Sequence, residues 1–162
     1  MNKKFRVNGT IGALLDEYEK ALNELKQIIK PLSQSQLIEI VDHQTKDEDC
    51  RSVQTILTHV IQSGYTYVIE TRKWKGEQIE YRDNQLLANV KEYHFAIDEM
   101  FQFNESLFDD YPDIKLFEPD PSKKILTRWK QLFDVEQLFS HAIVHVLKHR
   151  RQIERFIVKL TV

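Results

Sequence analysis

Apolar residues recur at intervals of three and four along four long stretches of the chain, with polar runs between them. In the first stretch Ile11, Leu14, Leu15, Tyr18, Leu22, Leu25, Ile28 and Ile29 share one side of a helix, and Glu17, Lys20, Glu24 and Lys26 share the other. Asn8 or Thr10 is placed to cap its start. Pro31 stops it near Lys30, because proline has no amide hydrogen and disfavours helical geometry in the residue before it. Residues 33–41 have room for one short helix, and residues 42–51 form a polar loop without periodicity. A second long helix begins near Ser52 and reaches Glu70 or Arg72. Its stripe is Val53, Ile56, Leu57, Val60, Ile61 and Val68, with His59 on the edge. Gly76 turns the connection over 73–82. Asp83 or Asn84 is placed to cap the third helix, which carries Leu87, Val90, His94, Ile97 and Phe101 inward and runs toward Phe108. Pro112 breaks it, Pro119 and Pro121 mark an irregular crossover, and residues 125–133 read as a short helical piece containing Trp129. Asp134 caps the last helix, with Glu136 in its first turn, where negative charge suits the helix dipole.

Four long helices without an internal repeat predict an all-α four-helix bundle, one domain over 1–162. The connection between the third and fourth helices is longer than the usual helix–helix loop, so it is expected to form a crossover, a lid or a wall over a site. Composition supports the helical picture: 4 glycines and 4 prolines are too few for a chain that must turn often. The 23 basic and 25 acidic residues are well mixed and leave a net charge of −2. Nothing in that balance builds a basic face, so neither nucleic acid nor a membrane is an expected partner. The single cysteine, Cys50, excludes an internal disulfide and suits a reducing compartment. No apolar run follows the first residues, and a cytoplasmic location is expected.

The last helix carries the chemistry. His141, His145 and His149 recur every fourth residue, half of the 6 histidines in the chain. Leu138, Ala142, His145, His149, Gln152 and Phe156 continue one seam, so two imidazoles and an amide fall where apolar residues would be expected. Residues four apart on a helix stand one above the other and can converge on one metal ion. Spacing alone leaves both a metal pair and an ordinary polar helix edge open. A third ligand has to come from another helix, and His59 is the best placed on an interior stripe. Three imidazoles leave coordination positions for solvent and suit Zn, Ni or a related divalent ion. Val146 stands where a His-Glu-x-x-His helix carries its general base, so that route to hydrolysis is unsupported. His43, in a polar loop, is expected to be solvated, and His94 to be a hydrogen-bonded core residue. Tyr67 and Glu70, further along the second helix than His59, either line a pocket or act in proton transfer, or else serve as core packing and a solvated face. Cys50, with no histidine or lysine beside it, reads as an ordinary thiol. No side chain is assigned a catalytic role.

Ser52-Val-Gln-Thr-Ile-Leu-Thr-His59 and His145-Val-Leu-Lys-His149-Arg150-Arg-Gln-Ile153 resemble the DinB/YfiT-like superfamily. The likeness in the order of elements spans nearly the whole chain, including the Trp129 segment. The family's late signature is His-x-x-x-His-Arg-Gly-Gln, and this chain has Arg151 in place of the glycine. The resemblance implies a four-helix bundle with a divalent metal held by His59, His145 and His149. It aligns the motif on His145 and His149, which leaves His141 as a pocket or supporting residue and Gln152 to orient a ligand ring. Relatives include transferases and isomerases that use small thiols such as bacillithiol or mycothiol. The expected function is therefore that of a metal-dependent enzyme, a thiol-dependent S-transferase or related transferase acting on a small-molecule thiol and an electrophile. The alternative is a non-enzymatic metal-binding or stress-linked protein, and a homodimer is the expected assembly.

Overall fold

The computed structural model describes residues 5–7 and 9–161. Its elements are α1 (Gly9–Ile29), α2 (Gln34–Ile38), α3 (Val53–Trp74), α4 (Val90–Asp110), the strands β1 (Ile125–Leu126) and β2 (Leu132–Phe133), and α5 (Val135–Leu160). Single turns of 3-10 helix occur at Glu48–Cys50 and Pro121–Lys123. Of the two candidate caps for α1, Thr10 lies inside the helix and Asn8 lies outside the described residues.

The four long helices close a ring. α1 packs on α5, α5 on α3, α3 on α4, and α4 on α1. Inside it stand Tyr18, Leu22 and Leu25 of α1, Ile56, Leu57 and Val68 of α3, Ile97, Met100 and Leu107 of α4, and Leu138, Phe139 and Ile153 of α5, all essentially buried. Each such side chain contributes roughly 1.5–3 kcal/mol when fully removed from water. The protein is mainly helical, as its hydrophobic periodicity predicts. None of the described helices is long and apolar enough to cross a membrane.

Two expected boundaries are corrected. Helix α4 is capped by Asn89, whose side chain accepts from Glu92 N, and not by Asp83 or Asn84. The residues before Asn89 are extended because their backbone is bonded elsewhere: Leu87 O accepts from Gln54 Nε2 at 2.9 Å, and Leu87 N donates to the Tyr93 hydroxyl at 3.2 Å. Leu87 therefore lies outside the helix, and the buried face of α4 is led by Tyr93, Ile97 and Met100. The segment around Trp129 is also not helical. β1 and β2 pair antiparallel, with Ile125 opposite Phe133 and Leu126 opposite Leu132. Its turn is closed by Thr127 and Gln131, with Lys130 at a φ of 67°.

This hairpin is fixed to α3 by a buried carboxylate. Glu70 Oε1 accepts from the Arg128 amide at 2.8 Å and from the Tyr81 hydroxyl at 3.0 Å. Glu70 is thus not in the cavity beside the histidines, nor is it part of a solvated face. The connection between α4 and α5 serves as a wall, with Trp129 standing against Tyr67 and His141 at ring-centroid distances of 6.0 and 6.4 Å.

Candidate metal centre

Two helix starts set the register of the site. Ser52 caps α3 in a reciprocal pair with Thr55, and His59 follows two turns later. Asp134 caps α5 in the same way with Gln137, and His145 and His149 follow on consecutive turns. Packing of α3 on α5 then brings the three rings together, with centroids 4.9 Å apart for His59–His145, 5.0 Å for His59–His149 and 4.5 Å for His145–His149. One ring nitrogen of each lies within 4.8 Å of the others. The closest pair is His59 Nε2 and His145 Nε2, at 3.0 Å.

Hydrogen bonding fixes which nitrogens remain free. His149 Nδ1 donates to Gln152 Oε1 at 3.0 Å, which places the ring proton on Nδ1 and leaves a lone pair on Nε2. That Nε2 atom is buried and has no hydrogen-bond partner. A buried polar atom left unsatisfied costs about 1–3 kcal/mol. Asp49 Oδ2 lies 3.3 Å from His59 Nδ1, so a carboxylate backs the second ring as an amide backs the first. Metal-ligating histidines usually carry such a partner on the nitrogen away from the ion.

The electrostatics keep two of the rings neutral. Burial pushes the His145 imidazole down to about 2, reinforced by the neighbouring His149 and His59. Burial and the proximity of His59 push His149 down to about 4, against a smaller opposite pull from Gln152. Neutral imidazole is the form that ligates metal. The fit to a divalent ion therefore rests on three converging rings, an unpartnered buried nitrogen and a donor set of nitrogens alone.

The remaining candidates are placed as follows. His141 is exposed and outside the cluster. Its ring stacks on His145 at 6.3 Å and meets Phe133 at 5.5 Å. With His59, Ser63, Tyr67, Trp129 and His145 it lines a cavity of about 290 Å³ that opens beside the triad. Tyr67 is buried in this wall, and burial raises the pKa of its hydroxyl, so it stays protonated. His94 bonds through Nε2 to Lys26 O, as a packed histidine does, and His43 is exposed. Arg150 pairs with Glu24 of α1 and Glu154 of its own helix. Burial first, then Asp47, raises the Cys50 thiol, leaving it protonated.

Asp49 is the contributor that the hydrophobic pattern misses. It lies in a loop without periodicity, and its only signal is an acidic run, Asp47 to Asp49, directly before the capped start of the helix that carries His59. Comparison with known protein families and with curated proteins finds no match.

Proposed function

We propose that this chain is a divalent-metal protein of the DinB/YfiT-like type, with His59, His145 and His149 as ligands, and that it acts as a metal-dependent transferase on small molecules. The observation that carries the metal is the buried, unpartnered Nε2 of His149, whose ring is oriented by Gln152 within 5.0 Å of two further imidazoles. Three imidazole nitrogens favour Zn or Ni over hard cations that take oxygen. Such an ion, when bound, supplies a fixed positive charge that favours the deprotonated form of a water or thiol and polarises a substrate.

The protein's own residues define the rest. Gln152 and Asp49 each engage the Nδ1 atom of a ring, so the Nε2 atoms of His149 and His59 are the ones that would ligate. Tyr67, Trp129 and His141 wall the cavity beside the triad, which has the size and aromatic character to seat a small organic electrophile and to limit water there. The thiol substrate class is supported by the resemblance of the His59 and His145–Ile153 segments to the family.

The test is elemental analysis of protein purified without a histidine tag, alongside His59→Ala and His145→Ala. One equivalent of metal in the wild type and its loss from both variants is expected. Stoichiometric metal in both variants would sink the triad. Loaded protein is then screened with thiols and electrophiles, and metal uptake without turnover would leave a binding role in place of the transferase.

A further inference from the structure

Gln152 also lines a second cavity, of about 420 Å³, on the side of α5 that faces the loop before α3. Lys148, Arg151 and Arg155 line it from the helix, and Thr45, Asp47 and Cys50 line it from the loop. The three cations are spaced by three and four residues, so they stand on one helix face one above the other. Like charges in that spacing repel. Among the described residues none of the three has a carboxylate within ion-pair distance, whereas Arg150, between them in sequence, pairs with both Glu24 and Glu154. The one acid in the cavity, Asp47, is engaged with its own turn, where Oδ1 accepts from Asp49 N at 3.1 Å. Neutral donors complete the lining. Thr45 Oγ1 accepts from Asp47 N and keeps its own hydrogen to donate. The oxygen of the Gln152 amide is taken by His149, and its NH2 group turns to the Cys50 sulfur.

We propose that this cavity binds a small organic anion bearing two or more carboxylate or phosphate oxygens, gripped by Lys148, Arg151 and Arg155. Guanidinium groups match such oxygens two at a time, and the lysine adds a point charge. The volume suits a metabolite-sized group. The mixed net charge of −2 hides this concentration, because the cations are gathered only by the helix register.

Gln152 belongs to both sites, so anion and metal affinities are linked, and linkage of binding is reciprocal. The linkage rests on the proposed metal centre, while the anion site stands without it.

The experiment uses metal-free protein prepared on a chelating resin, since a soluble polycarboxylate chelator would itself compete. Inorganic phosphate and succinate are titrated separately at constant ionic strength, with chloride as the control, and followed by amide chemical shifts. Saturable shifts around residues 45–50 and 148–155 are expected, with affinity falling at least tenfold in Arg151→Gln/Arg155→Gln. Both positions are exposed, so the double variant should melt as the wild type does. Preference for phosphate assigns a phosphate ester, and preference for succinate assigns a dicarboxylate. Shifts that match chloride, or equal affinity in a normally folded double variant, overturn the proposal. A wild type that takes up no metal yet binds the anion would remove the metal reading and leave this one standing.

Discussion

Helix α3 presents two seams, and they are filled by opposite chemistry. Toward α4 the contact is apolar and close: Gly64 meets the Met100 side chain, and a Cβ added there would collide with it. Ile97, Met100 and Leu107 are completely buried on that side. Toward α5 the same helix offers His59, and it meets His145 and His149. Among the orphaned buried atoms of the described residues, Asn104 Oδ1 lies on the first seam, where Arg72 Nε is another, and His149 Nε2 lies on the second. The Asn104 atom is a carbonyl oxygen whose own amide already donates to Gly64 O and Met100 O. The His149 nitrogen stands among converging nitrogens, and no donor among the described residues reaches it. One seam is finished by packing. The other is finished only by something that accepts lone pairs.

The contrast is broken most strongly on the apolar side. Met100→Ala should cost about 2–5 kcal/mol, through lost burial and the cavity left behind. It should leave metal stoichiometry at the level of the wild type. Thermal unfolding together with elemental analysis checks both, and a loss of metal there would mean that the seams are not independent.

On the histidine side the effect depends on the ion. At a Zn concentration a hundred times its dissociation constant, binding to the native state adds about 2.7 kcal/mol, which is roughly 5–10 °C in a domain of this size. His149→Ala should abolish that shift. A melting temperature that rises equally in wild type and variant would remove His149 from the site. Gln152→Ala sharpens the same comparison, since it deletes only the group on Nδ1. Loss of such a supporting bond typically weakens metal affinity 10–100-fold, and Asp49→Asn should act in the same direction and by less, because that carboxylate is more exposed. Unchanged affinity in both would mean that the rings are held by packing alone.

Much of this was legible in the chain. The capped starts of α3 and α5 could be read from Ser52 and Asp134, and those caps set the register of all three histidines. The seam of α5 was read one step off. Its buried centre runs through Val146, His149, Ile153 and Phe156, and His145 and Gln152 stand at the margin. A 3.6-residue repeat drifts against a strict four-three spacing, so the pattern finds the face but not its midline. The hairpin could not be read. Ile125, Trp129, Leu132 and Phe133 keep helical spacing, and what decides against a helix is Glu70, far away in sequence, taking the Arg128 amide. The start of α4 failed for a similar reason, since Gln54 and Tyr93 claim the backbone of Leu87. Asn89 with Glu92 does carry the local capping pattern, which competed with Asp83 and Asn84. Asp49 had no periodic signal, because loop residues reach a site through tertiary packing.

The smallest effect concerns protons on the metal-free protein. His145 and His149 are held at about 2 and about 4, while an unfolded histidine titrates near 6.5. Below that value the unfolded chain binds protons that the folded chain refuses, so acid favours unfolding. Their stabilising contribution is therefore complete above about pH 6.5 and is lost as pH falls toward 4 for His149 and lower for His145. His145 is only partly buried, so after solvent screening its share is on the order of 1 kcal/mol. Carboxylates elsewhere also titrate in this range, and the comparison that isolates the histidine is between wild type and His145→Asn. The difference in unfolding free energy between the two should shift in favour of the variant between pH 7 and pH 5. A constant difference over that interval would mean that His145 takes up its proton in the folded state, which a ring packed against two other imidazoles should not do. On the apolar seam, Met100→Ala should show no such slope, because nothing that it removes can be charged.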